Sequence, residues 1–162
     1  MKRKTKFITH AAVIAALYVV LTTLAAMLSL DKGVIQFRIS EALTVLPCLT
    51  PAAIPGLFIG CLLSSVFNMA IPADVVFGSL ATLLGAIGTY IIGRRVKWLS
   101  ALPPILANML VIPLVLRFGY HAEGTLPFFV LTVGAGEVVC AGLLGTLLLY
   151  AMPKRLENEL KL

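Results

Sequence analysis

Arg38 and Glu41 stand three residues apart in Gln36-Phe37-Arg38-Ile39-Ser40-Glu41-Ala42-Leu43-Thr44-Val45-Leu46-Pro47, a stretch otherwise made almost entirely of hydrocarbon. On a helix that spacing lets a guanidinium and a carboxylate neutralise one another. It also lets them grip a polar solute together. Ionisable groups at membrane depth cost roughly 3 kcal/mol each on insertion scales, so they face a protein interior or a cavity. Asn68, Asp74, Asn108 and Glu137 pose the same question. Asn68 and Asp74 flank a turn and suit either helix capping or solute binding. Asn108 can bridge two helices through its amide, or meet a ligand. Glu137 has no basic residue within a turn of it on its own helix. Its partner comes from another span or from a ligand, or the group keeps its proton.

The elements that position these residues belong to a membrane protein. Hydrophobic residues make up 60% of the 162-residue chain and charged residues 12%, and the mean hydropathy is +1.03. An ordinary soluble domain carries about 25% charged residues, so a normal water-facing surface is excluded. The expected fold is an all-α integral membrane protein. At ~20–25 residues per crossing plus loops, there is room for about six transmembrane helices and no separate soluble domain. Residues 1–162 read as one domain with a basic head (1–6) and a charged tail (153–162).

Phe7 to Leu30 is the first apolar run, longer than the ~7–15-residue core of a signal peptide. After the turn Asp31-Lys32-Gly33, Phe37 to Leu49 forms a short second segment broken by Pro47. As an α-helix it reaches only ~20 Å, short of a ~30 Å hydrocarbon core, so neighbouring helices must cover it. The third span runs from about Pro55 to Met69 and carries Gly56-x-x-x-Gly60, a close-packing motif. The fourth covers Val75 to Gly93, the fifth Leu99 to Leu116, and the sixth Leu126 to Tyr150. Near the amino end, Ala11-Ala12-Val13-Ile14-Ala15-Ala16 offers two overlapping small-residue faces, either of which lets another helix approach closely.

Charge sets the orientation. Of the 13 basic residues, all but Lys32, Arg38 and Arg117 fall in the head, at Arg94-Arg95-Val96-Lys97, or in the tail. Basic residues collect on the cytoplasmic side of spans, so six crossings place both termini in the cytoplasm. Five crossings would split the ends between two faces and spoil the asymmetry. With six, Arg38, Glu41, Asn68, Asp74, Asn108 and Glu137 open toward the outer half, the arrangement of a solute cavity facing outward.

Other functions lack their residues. The net charge of +6 sits at membrane flanks without interleaved aromatics, which argues against nucleic acid as a partner. Cys48, Cys61 and Cys140 have no CxxC spacing and no histidine neighbours, so they read as small buried apolar residues and not as metal ligands. No serine–histidine or paired histidine–aspartate set lies at membrane depth, so no catalytic residue is expected. No Gly-rich loop ends in Lys-Ser or Lys-Thr, so no nucleotide-hydrolysing site is expected in this chain. No cofactor is expected.

Phe37-Arg38-Ile39-Ser40-Glu41-Ala42-Leu43, then Leu46-Pro47 and Thr50-Pro51-Ala52-Ala53-Ile54-Pro55-Gly56-Leu57-Phe58-Ile59-Gly60, closely resemble the QueT family. Its members are substrate-binding S components of energy-coupling factor transporters. The resemblance implies a bacterial plasma-membrane protein that binds a queuosine precursor, chiefly 7-aminomethyl-7-deazaguanine. It also implies docking on a coupling membrane protein with two ATPase subunits. The family's docking motif in the first span maps onto Ala12 and Ala16. The ligand implied has two parallel N–H donors on its ring edge, which a carboxylate accepts in bidentate fashion. Its ammonium arm wants a second carboxylate. Glu137 is assigned to the ring edge and Glu41 to the ammonium, with Asn68, Asn108 or Arg38 for the ring carbonyl. Phe37, Phe67 and Tyr120 are candidates for stacking on the base. The loop Asp31 to Gln36 is expected to act as a lid. The competing readings are an S component for another small heterocycle or vitamin, and a structural membrane subunit.

Overall fold

The charged stretch winds as a 3₁₀ helix, not an α-helix, over Ile39–Cys48 in the computed structural model, which describes residues 2–30 and 35–160. Its ends show the i→i+3 pattern, with Glu41 N–H donating to the Arg38 carbonyl and Leu49 N–H to the Leu46 carbonyl, both at 2.9 Å. Two physical reasons favour this winding. Pro47 has no N–H to give to an α-helical partner. A 3₁₀ helix also rises ~2.0 Å per residue against ~1.5 Å, so ten residues reach ~20 Å instead of ~15 Å. Long 3₁₀ runs are uncommon, and this one is held from all sides: every residue from Ser40 to Thr50 is buried.

Around it lie α1 (Lys2–Met27), α2 (Ala53–Phe67), α3 (Pro72–Gly93), α4 (Leu102–Leu114), α5 (Leu126–Glu137) and α6 (Gly145–Ala151), with a short terminal α7 (Lys154–Leu160). A π-helical turn, Val115–Gly119, extends α4, and another, Val138–Leu144, joins α5 to α6. Among the described residues there is no strand. The fold is all-helical, as expected, and 4 helices are long and apolar enough to cross a membrane: Arg3–Met27, Pro72–Gly93, Lys97–Gly119 and Leu126–Ala151. Ile39–Cys48 and Ala53–Phe67 are shorter apolar helices. The bundle's outer faces are hydrocarbon, with Leu84 61% exposed and Leu110 72% exposed, which suits a lipid surround. The expected turn Asp31-Lys32-Gly33, and most of the lid expected over Asp31 to Gln36, lie outside the described residues.

The two small-residue faces of α1 separate in three dimensions. Ala11 and Ala15 turn inward against α2, where a Cβ on Gly56 would stand 2.7 Å from the Ala11 carbonyl oxygen. A Cβ on Gly60 would stand 2.8 Å from Tyr18 Cβ and 3.0 Å from the Ala15 carbonyl oxygen. Those glycines let two backbones touch, and because the paired positions rise together, α1 and α2 run parallel. Ala12 and Ala16 face outward and are exposed.

Basic segments gather at one end. Lys6 Nζ is 3.3 Å from Glu159 Oε2, and Lys97 Nζ is 3.5 Å from Glu157 Oε1, so α7 joins the amino-terminal head to the turn after α3. Leu160 packs under Val45, Cys48 and Leu149 at the base of the 3₁₀ segment. The first turns of α1 and the terminal α7 therefore lie together, on the side opposite the cavity described next.

Candidate functional site

Where α1 and α2 end, α3 begins and α4 gives way to its π-turn, the helices part around a cavity of about 400 Å³, within the ~300–1,000 Å³ of small-molecule sites. Its lining includes Tyr18 and Thr22 of α1, Arg38 and Ser40 at the head of the 3₁₀ segment, and Asn68 and Asp74 around the α2–α3 turn. Phe37 and Tyr120 contribute aromatic rings.

One wall is ionic. Arg38 Nη2 lies 3.7 Å from Asp74 Oδ2, and the Tyr120 hydroxyl donates to the same oxygen at 3.0 Å. Partial burial, and then the Asp74 carboxylate itself, raise the Tyr120 phenol above its ordinary range and keep it a donor. Arg38 thus pairs across to α3, while Glu41 turns away to other partners. Asn68 ends α2 by donating its side-chain amide to the Ser64 carbonyl at 2.8 Å, and it borders the cavity as well. Asp74 sits in the first turn of α3, where the positive end of the helix dipole favours a carboxylate, but no side-chain cap bond forms there.

Behind this wall lies a second polar group. Tyr18 donates its hydroxyl to Glu41 Oε1. Asn108 Nδ2 stands 2.9 Å from Glu137 Oε1 and 3.4 Å from Glu41 Oε2. These residues are nearly sealed: Glu41 is 1% exposed, Asn108 2% and Glu137 5%. Glu137 Oε2 is buried with no hydrogen-bond partner, an expensive condition for a polar atom. The backbone explains how Glu137 gets there: it is the last residue of α5 before the π-turn, and such widened turns re-aim side chains. Glu41, Asn108 and Glu137 are absent from the cavity lining, and Tyr18 belongs to both groups.

A model of the QueT transporter family matches residues 8–154. The chain belongs to this family. A curated relative, the queuosine precursor transporter QueT of Lactococcus lactis subsp. cremoris (strain MG1363), is 37% identical over 83 residues. That match covers 51% of this chain and 48% of the relative, so it spans about half of each. No solved structure matches the chain. The QueT family is one of transporters and not of enzymes, and the apolar helices make this member a membrane protein.

For a QueT family member, the six residues singled out by sequence fall into two sets. Arg38, Asn68 and Asp74 line the cavity; Glu41, Asn108 and Glu137 form the cluster behind it. Among the aromatic candidates, Phe37 and Tyr120 border the cavity, whereas Phe67 is 68% exposed and points elsewhere. Cys48, Cys61 and Cys140 are free and buried, and no metal-holding cluster of His, Cys, Asp or Glu occurs among the described residues. Sequence reasoning missed Tyr18, Thr22, Ser40, Cys61 and Ser64. Tyr18 and Thr22 were visible as two hydroxyls four apart, and so on one face of the first span. Thr22 Oγ1 donates to the Tyr18 carbonyl at 2.8 Å and lies 2.8 Å from Ser40 Oγ, tying α1 to the 3₁₀ segment.

Proposed function

We propose that this chain is the substrate-binding S component of an energy-coupling factor transporter that imports a queuosine precursor, 7-aminomethyl-7-deazaguanine, across the bacterial plasma membrane. The observation that carries the reading is the polar cavity at the end opposite the basic segments, with buried acidic side chains directly behind it. Among the described residues, the interior holds Glu41, Asp74 and Glu137 against the guanidinium of Arg38. That imbalance suits a solute that brings a positive charge of its own. In this reading Glu137 takes the ring-edge donors and Glu41 the ammonium. Arg38, Asn68 or Asn108 meets the ring carbonyl, and Phe37 or Tyr120 stacks on the base.

The same reading makes six crossings of the chain. The 3₁₀ segment supplies the short second one, running from Arg38 at the cavity end to Cys48, which lies against Gly93 near the basic end. Both termini are then cytoplasmic, in accord with the basic residues gathered there. Transport is driven by a coupling membrane protein and two ATPase subunits that dock on the exposed Ala12–Ala16 face of α1. The loaded subunit topples in the membrane and releases its solute inward.

Equilibrium binding to the detergent-purified chain tests the proposal. The expected result is saturable binding of 7-aminomethyl-7-deazaguanine, with weaker binding of 7-cyano-7-deazaguanine, which lacks the ammonium. Binding of neither compound sinks the reading. Preference for an unrelated vitamin in a competition panel would reassign the chain to another solute.

A further inference from the structure

The cavity and the acidic cluster are two compartments with one side chain between them. Tyr18 is 2% exposed, borders the cavity, and places its hydroxyl on Glu41 Oε1. The cluster's remaining oxygen on Glu137 has no partner and is 5% exposed as a residue. A solute confined to the cavity reaches neither the occupied oxygen of Glu41 nor the open one of Glu137. It gains both if the phenol gives way.

We propose that Tyr18 is a displaceable gate that selects for a solute carrying a primary ammonium group. In the empty protein its hydroxyl satisfies Glu41. A neutral substituent has nothing better to offer that oxygen. An ammonium does, because it brings a full positive charge to the carboxylate along with its hydrogen bond, where the phenol offers the hydrogen bond alone. The arriving ammonium therefore takes Glu41 from the phenol, and the opening exposes Glu137 Oε2 to a second donor of the solute. Asn108 keeps both carboxylates in place during the exchange through its shared amide.

The gate is mounted on the helix that carries the outward alanine face. Tyr18 lies on α1, its Cβ against the bare Cα of Gly60, and Thr22 one turn further anchors α1 to Ser40. Losing the Tyr18–Glu41 bond removes one of the two side-chain links just described between α1 and the 3₁₀ segment. Occupancy of the site is thereby registered on the element that presents Ala12 and Ala16.

This inference rests on the ligand reading above, and its test separates the two. The first arm measures binding of the amino and cyano compounds to wild type and to Tyr18→Phe. With the competing hydroxyl gone, the amino compound binds about tenfold tighter, the worth of one hydrogen bond to a charged group, while the cyano compound is unchanged. Weaker binding of the amino compound, no change in it, or an equal gain for both compounds overturns the gate.

The second arm needs no ligand. With Cys48, Cys61 and Cys140 changed to alanine, Glu137→Cys is labelled by aminoethyl methanethiosulfonate, with and without Tyr18→Ala. Opening the gate speeds labelling about tenfold, as expected when a buried site that reacts only through rare opening becomes accessible. Equal rates overturn the proposal. If wild type binds neither deazaguanine but labelling accelerates, the gate stands and the solute assignment falls.

Discussion

Asn108 donates to Glu137 across 2.9 Å, joining the middle of α4 to the end of α5 inside a nearly sealed interior. One amide can satisfy one oxygen of a carboxylate well, and the second oxygen of Glu137 stays without a partner. Interiors rarely keep such an atom, because leaving it unmade costs about 1–3 kcal/mol. A donor that arrives only with the solute gives this arrangement a reason.

Glu137→Gln changes that oxygen into an amide donor and removes the charge. Binding of 7-aminomethyl-7-deazaguanine is expected to weaken by about tenfold or more, the cost of losing a charge-assisted contact. Titration calorimetry on the purified variant is the check. An unchanged Kd would take Glu137 out of the site.

Ala12→Trp combined with Ala16→Trp fills the outward face of α1 without touching the inward one. Uptake by the assembled transporter is expected to disappear while the isolated chain binds solute as before. Uptake at the wild-type level means that this face docks nothing.

Gly60→Val acts on the opposite face. Its Cβ would stand 2.8 Å from Tyr18 Cβ and 3.0 Å from the Ala15 carbonyl, and backbone cannot yield cheaply. Overpacking of this kind costs about 1–3 kcal/mol, so the melting temperature in detergent should drop measurably. Retained stability would mean that α1 and α2 do not meet as described.

Arg38 and Asp74, 3.7 Å apart in the cavity wall, are suited to a double-mutant cycle. Arg38→Gln, Asp74→Asn and the double variant are compared by thermal unfolding. Partly buried partners in contact are expected to show a coupling of about 1 kcal/mol. Strict additivity would mean that the pair contributes no interaction of its own.

The chain's composition already dictated an all-helical membrane protein, because 12% charged residues cannot clothe a bundle in water. The places where helices had to touch were legible too. Gly56-x-x-x-Gly60 and the alanine pairs announce close approach in any arrangement, since only small residues permit it. The six polar residues stood out because ionisable groups and amides are costly in oil.

Tertiary structure decided which of them share a compartment. Arg38 and Glu41 are three positions apart in sequence, yet one pairs with Asp74 on α3 while the other meets Tyr18 on α1. A helix of either winding puts positions three apart on one face; Arg38 leaves that face because it precedes the first helical residue, Ile39, with φ −94° and ψ 87°. Which alanine face of α1 is internal was likewise settled by packing against α2. Local pattern names the residues that must find partners. Only the folded chain, by fixing winding and register together, decides which partners they find.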